Sequence, residues 1–369
     1  MHRTSRRRAL VPAVATTLGV IGLLSACTPP NERIDPAAAG NLEGTLNGAG
    51  SSAQEAAQGV WQAGFQTRNP SVTVNYDPVG SGGGREQFIA GGVAFAGSDS
   101  YLAEDEGELK GAEKRCGGTP ALEIPAYVSP IAVIYNLDGV DDLRLSPDVL
   151  AGIFNGRITR WDDARITEDN PDADLPATRI TPVHRADDSG TTENFVDYLS
   201  QAGGGAWPHE PDGVWPIKSG EAGQGTSGVV SAVRNGQGTI GYADESQAGD
   251  LAIAEVKVGE EYVGPTPEAA AKILEVSERV DGRAEVDQAY ELDRATQESG
   301  VYPVVLTSYL IACQTYPDKP TADLVKGYLS YVVGDEGQQA SAESAGSAPL
   351  SDRIQEDAME IVEGISVER

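Results

Sequence analysis

An α/β fold is what this sequence predicts, and three observations predict it. Short β-branched runs alternate with stretches of helical periodicity, glycine-rich segments fall between them, and 369 residues suffice for two domains of ordinary size. The strand candidates, in order, are Val72-Thr73-Val74-Asn75-Tyr76, Ile131-Ala132-Val133-Ile134-Tyr135, Ile180-Thr181-Pro182-Val183 and Val304-Val305-Leu306-Thr307. A helix begins near Ser52, where Ser51-x-x-Gln54 has the form of a capping box and Ala53, Ala56, Ala57, Val60, Trp61 and Gly64 share one face. Further helices fit 146–154, 191–200, 226–234, 321–333 and 351–364. Sandwich and barrel folds fit less well, and no internal repeat is evident.

The first segment stands apart. It has a basic start at Arg3, Arg6, Arg7 and Arg8, then an apolar run from Ala9 to Leu24 and the ending Leu24-Ser25-Ala26-Cys27, which together read as an export signal over residues 1–26. That ending resembles a bacterial lipoprotein lipobox, which implies cleavage before Cys27 and lipid attached to its thiol. A membrane-spanning anchor is the competing reading, but the run falls short of about 20 residues. Ser5-Arg6-Arg7-Arg8-Ala9-Leu10 is loosely twin-arginine-like, so the export route stays open. Residues 27–43, with Pro29, Pro30, Pro36 and an alanine run, read as a flexible tether from Cys27.

Four arginines leave with the signal, so the formal charge moves from −29 to −33. Such acidity disfavours nucleic acid and anionic membrane surfaces as partners, and it requires any anion site to work through local, oriented dipoles. With Cys27 given to lipid, Cys116 and Cys313 remain. In an exported protein two cysteines are expected to pair; two buried thiols are the alternative, and no metal-ligand spacing connects them.

Four glycine-rich junctions combine close backbone approach with hydroxyl donors: Gly48-Ala-Gly-Ser-Ser52, Gly80-Ser-Gly-Gly-Gly84, Ala96-Gly-Ser-Asp-Ser100 and Asp187-Asp-Ser-Gly-Thr191. The last is the densest in chemistry. A helix N-terminus leaves about four N–H groups unpaired and carries roughly half a positive charge, so Ser189, Gly190 and Thr191 can offer amides and hydroxyls to a tetrahedral oxyanion. Arg185 adds a fork of donors.

These four segments, in this order, resemble the substrate-binding protein of the bacterial phosphate-specific ABC transporter, the PstS family. Ile158-Thr-Arg-Trp-Asp-Asp163, Gly238-Thr-Ile-Gly-Tyr242 and Tyr302-Pro-Val-Val-Leu-Thr-Ser308 extend the likeness over nearly all of the mature chain. The resemblance implies a two-lobe, type II-like venus-flytrap fold, with the first lobe formed by 44–126 and 301–369, the second by 127–300, and phosphate in the cleft. Cys116 and Cys313 then share a lobe. The family's ligand positions fall at Ser52, Ala53, Ser81, Asp99, Arg185, Ser189, Gly190 and Thr191, with Asp187 holding the arginine. Ser52 and Ala53 stand where threonine and phenylalanine often occur. Also implied are a non-enzymatic, monomeric receptor lipid-anchored on the extracytoplasmic face of the cell membrane, an ABC permease as partner and no cofactor, while the few histidines and the lack of clustered metal-ligand spacing argue against a metal.

Each feature has a plainer explanation: a turn or capping aspartate for Asp99, a partly exposed ion pair for Arg185 and Asp187, a cap at Ser51 that leaves Ser52 in solvent. Gly223-Gln-Gly225-Thr-Ser-Gly228 fits G-x-G-x-x-G, but Lys218-Ser-Gly-Glu-Ala222 before it makes no convincing strand. Asp188 and Ser189 with His184 or His209 suggest a hydrolase triad without supporting spacing. The rivals are a receptor for sulfate, molybdate or arsenate, a secreted phosphatase or esterase, and a surface adhesin.

Overall fold

The computed structural model describes residues 41–104 and 106–368; the export signal, Cys27 and most of the tether lie outside them. The described residues all belong to one compact unit. It opens with β1 (Glu43–Gly50), α1 (Glu55–Arg68), β2 (Ser71–Asp77), α2 (Ser81–Ile89), β3 (Phe95–Ser98), α3 (Glu108–Arg115) and the long β4 (Ala121–Asn136). There follow β5 (Arg144–Leu145), α4 (Pro147–Phe154), α5 (Ala164–Asp169), β6 (Thr181–Arg185), α6 (Gly190–Ala202), β7 (Glu221–Gly223), α7 (Gly225–Asn235) and β8 (Thr239–Asp244). The remainder is β9 (Ala252–Val258), β10 (Glu261–Val263), α8 (Pro267–Ala271), β11 (Glu278–Arg279), β12 (Tyr290–Glu291), β13 (Val305–Cys313), β14 (Thr315–Tyr316), α9 (Lys319–Val333), α10 (Asp335–Ala345), α11 (Asp352–Glu363) and β15 (Ser366–Val367).

One mixed sheet runs β2-β1-β3-β13-β4-β8-β6-β7. β1 pairs parallel with β2 and β3, and β13 pairs antiparallel with β3 and β4. β2 lies at one edge of the sheet, and along it Val72 and Val74 point into the core while Thr73 and Asn75 face water. β4 is buried along nearly its whole length and changes neighbours along it, with residues 133–135 also paired with β9. Its residues 121–130 pair with β13, and its residues 131–136 pair with β8. A bulge in the β4–β13 ladder falls between Ser308 and Tyr309.

α1 packs Ala57, Trp61 and Phe65 inward, with Ala56 and Val60 half-buried, as its periodicity predicts. The helix opens at Glu55 rather than near Ser52, with Gln54 at the N-cap position and no side-chain cap, so the predicted capping box does not form at its start. Ser51 Oγ accepts from the amides of Ala53 (3.0 Å) and Gln54 (3.4 Å), but the Gln54 side chain turns away to donate to Ser308 Oγ (2.7 Å) and Tyr309 O (3.0 Å). A partner from a distant strand outcompetes the local one. Cys116, just after α3, is disulfide-bonded to Cys313 at the end of β13, so the expected pairing is present.

Candidate functional site

The four junctions converge at the ends of β1, β3 and β6 and the start of α2. Glycine is required where they touch. A Cβ on Gly190, the first residue of α6, would sit 2.6 Å from Ser81 Oγ and 2.9 Å from the Asp99 Cβ; one on Gly80, already at φ 95°, would meet Asp188 O at 2.6 Å and Asp187 Oδ2 at 2.7 Å. The second and third junctions are therefore pressed directly against the fourth.

Asp99 lies at the centre, 2 % exposed. Its Oδ2 accepts from Ser51 Oγ (2.5 Å) and, at 3.4 Å, from Thr191 Oγ1; its Oδ1 accepts from Ser308 Oγ (2.8 Å), and its amide donates to Ser81 Oγ (3.1 Å). Burial raises its pKa above the ordinary aspartate value, against the pull of the Ser51 and Ser308 hydroxyls, the Arg185 charge and Thr191. It is a deeply placed acceptor, not a turn residue at the surface. A second buried acid, Asp244 at the end of β8, is pushed up to about 7 by burial, with Asp99's charge adding to the effect.

Arg185 ends β6 and is 3 % exposed. Asp187 takes two of its nitrogens, Nε at 2.8 Å and Nη2, leaving Nη1 without a protein partner among the described residues. Burial pushes the Asp187 carboxyl up, but the hydrogen bond and charge of Arg185 and the Gly225 amide (3.0 Å) prevail and hold it below the ordinary value. Both side chains are buried, so the picture of a partly exposed ion pair does not apply.

α6 supplies the dipole, with a correction to which amides are available. Ser189 caps the helix, its Oγ accepting from Thr192 N (3.2 Å), and its own N–H is taken by Gly213 O (3.0 Å). The amides of Gly190 and Thr191 have no acceptor among the described residues and are the two left for an anion. Ala53 is similarly corrected: its amide is occupied by Ser51 Oγ. Ser52 does not face solvent; it is 4 % exposed, and its Oγ accepts from Thr226 N (3.1 Å) and lies 3.1 Å from Thr226 Oγ1.

Thr226 belongs to the glycine-rich segment that the sequence left unused. Glu221–Gly223 does form a short strand, β7, parallel to β6, and α7 follows directly. Three residues were too few to register as a strand. Its helix start serves Asp187 and Ser52 through the amides of Gly225 and Thr226. Ser51, Ser308, Gly225, Thr226 and Gln247, whose Nε2 donates to the carbonyls of Ser52 (2.9 Å) and Ala53 (3.2 Å), are the participants sequence reasoning missed.

The histidines do other work. His184 stacks on Trp215 with centroids 5.2 Å apart and its Nδ1 lies 2.8 Å from Arg185 O, while His209 sets its edge on Trp207 at 5.1 Å. Neither is bonded to Ser189, so no triad forms. No cluster suited to a metal, and no helix long and apolar enough to cross a membrane, occurs among the described residues.

Comparison with known proteins places this geometry. The family model for the PBP superfamily domain matches residues 35–336. Phosphate-binding protein PstS 3 of Mycobacterium tuberculosis is 36 % identical over 322 residues, covering 84 % of each chain, and PstS 2 of the same species is 34 % identical over 326 residues, covering 87 % of each. The structure of PfluDING, described as a high affinity periplasmic phosphate-binding protein bound with phosphate at pH 8.5, superposes with a TM-score of 0.68 over 85 % of this chain and 92 % of the other at 21 % identity. With the two-lobe fold, the match along most of its length and relatives above 30 % identity, the chain belongs to the PstS family of phosphate-binding proteins within the PBP superfamily.

Proposed function

We propose that this protein captures inorganic phosphate outside the cytoplasmic membrane and delivers it to the permease of an ABC importer, catalysing no reaction. One observation carries the proposal: a buried carboxylate, Asp99, stands among donors, opposite unpaired helix amides and an arginine. At neutral pH phosphate carries at least one proton and sulfate none. A carboxylate has about four acceptor positions, and three hydroxyls address Asp99, the weakest at 3.4 Å from Thr191. Room remains for a phosphate O–H, whereas a sulfate oxygen meets an acceptor. Rejection comes from the unpaired buried charge, and sites of this kind discriminate by about 10⁴ to 10⁵.

Affinity comes from the amides of Gly190 and Thr191, the hydroxyls of Ser52, Ser81, Ser189 and Thr191, and Arg185 held in register by Asp187. The names of the mycobacterial relatives and the phosphate in PfluDING support the same ligand. We assign lobe I to 44–126 with 301–369 and lobe II to 127–300, closing about the ligand by a hinge motion; the change of partner along β4, a few residues beyond 126, supports a division of this kind. Cys27 carries the lipid that tethers the monomer to the outer face of the membrane.

Calorimetric titration with phosphate, arsenate, sulfate and molybdate tests the ligand. Phosphate binding far tighter than sulfate at neutral pH is expected, with arsenate, protonated like phosphate, passing the same filter. Equal affinities for phosphate and sulfate would sink the proposal, and turnover of a chromogenic phosphate ester that is lost in Ser189→Ala would replace it with a hydrolase.

A further inference from the structure

Asn194 lies one turn beyond Gly190 on α6 and is 8 % exposed. Its Nδ2 donates to Asp99 O (2.6 Å) and to Gly190 O (2.8 Å). One side-chain amide thus grips the backbone of the acceptor aspartate and the backbone of the residue that opens the anion helix. Its other atom, Oδ1, accepts from Arg294 Nη2.

Arginine has donors only, so the atom facing Arg294 must be the oxygen. The amide cannot flip, and both Nδ2 hydrogens are committed to the two carbonyls. Arg294 is itself immobile at 2 % exposure: Nε donates to Asp197 Oδ2 (2.6 Å), and Nη1 to the carbonyls of Pro303 (3.0 Å) and Val305 (2.9 Å). Val305 begins β13, the strand whose Ser308 holds the carboxylate of Asp99. Asp99 is therefore held at both ends, its carboxylate by Ser308 and its carbonyl by Asn194.

We propose that Asn194, oriented by Arg294, is a positioning residue for oxyanion binding that sets the spacing between the Asp99 acceptor and the Gly190 and Thr191 amides. The inference rests on the phosphate-receptor reading and on the lobe division given above. In that division Asn194 and Asp99 belong to different lobes, so their bond exists only in the closed form and acts on ligand escape rather than entry.

The test uses the full-length mature protein and measures association and dissociation rates by stopped flow for phosphate, arsenate and sulfate, with the thermal midpoint of the ligand-free protein alongside. Asn194→Asp keeps the shape and the Arg294 bond but turns an acceptor toward two carbonyls. Dissociation of phosphate is expected to quicken about 10- to 100-fold, with association within about twofold and a narrower phosphate-over-sulfate ratio. Arg294→Lys, which retains the charge but not the fork, should give the same pattern in smaller measure and decides the matter if Asn194→Asp does not fold. Unchanged dissociation in a folded variant overturns the proposal, as does equal slowing of association, which indicates general disruption. If the wild type binds sulfate as well as phosphate, the phosphate reading fails separately, and the ratio of variant to wild-type dissociation for whichever anion binds still judges Asn194.

Discussion

Replacing Asp99 by asparagine is the sharpest perturbation of this site, because it keeps the shape and removes only the charge and one acceptor. In the wild type three hydroxyls point at the carboxylate, at 2.5, 2.8 and 3.4 Å. In Asp99→Asn one oxygen becomes an NH₂ group, so either Ser308 or the Ser51 and Thr191 pair must reorient, and the phosphate O–H loses a charged acceptor. A hydrogen bond to a charged group contributes about 1.5–3 kcal/mol, which corresponds to phosphate binding weaker by roughly 10- to 150-fold. Sulfate should move the other way, since the new N–H can donate to it. The ligand-free protein should hold or gain stability at neutral pH, because burial disfavours the charge that the substitution deletes. Calorimetry with both anions and a thermal melt read all three quantities. Phosphate and sulfate affinities that fall in parallel would show that Asp99 supports the pocket without sensing the ligand's proton.

The same carboxylate gives a pH dependence. Asp99's pKa is raised, so its protonated form is favoured by folding, and that contribution is present at low pH and lost as pH rises through the raised value. Protonated Asp99 donates to sulfate, so competition titrations should show the phosphate preference shrinking as pH falls through that value; repeating them in Asp244→Asn separates the second acid, which is pushed up to about 7. Gly190→Ala inserts a methyl 2.6 Å from Ser81 Oγ and 2.9 Å from the Asp99 Cβ, and overpacking of about 1–3 kcal/mol should appear mainly as weaker phosphate binding in calorimetry. Reduction of Cys116–Cys313, which spans 197 residues, should lower stability by about 2–5 kcal/mol in urea unfolding; an unchanged midpoint would show that the bond contributes nothing to the folded state.

The periodic parts of the fold were legible in the sequence because their causes are local. Val72 and Val74 alternate with exposed neighbours, and Trp61 and Phe65 recur at helical spacing, so β2 and α1 follow from pattern alone. α2 was not legible: Ser-Gly-Gly-Gly-Arg has no apolar stripe, and its helix forms because Gly80, Gly82 and Gly84 fit against Asp188, Asp187 and the backbone at Gly50. α10, polar along much of its length, is held by packing on α1 rather than by propensity. In the candidate site, the ligand positions could be found by resemblance, while the roles of Ser308 and Thr226 could not, although both lie in segments singled out from the sequence. Ser308 lies 209 residues from Asp99, and Thr226 lies 174 from Ser52. No local spacing encodes such partners. Ser51 and Ser52 are adjacent and chemically alike, and only the tertiary positions of Asp99 and Thr226 assign one to the carboxylate and the other to α7.

β4 exchanges partners between Pro130 and Ile131. Pro130 has no N–H to contribute to a ladder, but the next residue is bonded on both sides, Ile131 N–H donating to Val304 O (2.8 Å) and Ile131 O accepting from Tyr302 Oη (2.8 Å), so the strand stays anchored where its neighbours change. β4 is therefore the continuous backbone that joins the β13 ladder to the β8 ladder. Through those ladders one strand bears both sides of the site: Ser308 of β13 holds Asp99, and β6, which ends in Arg185, pairs with β8.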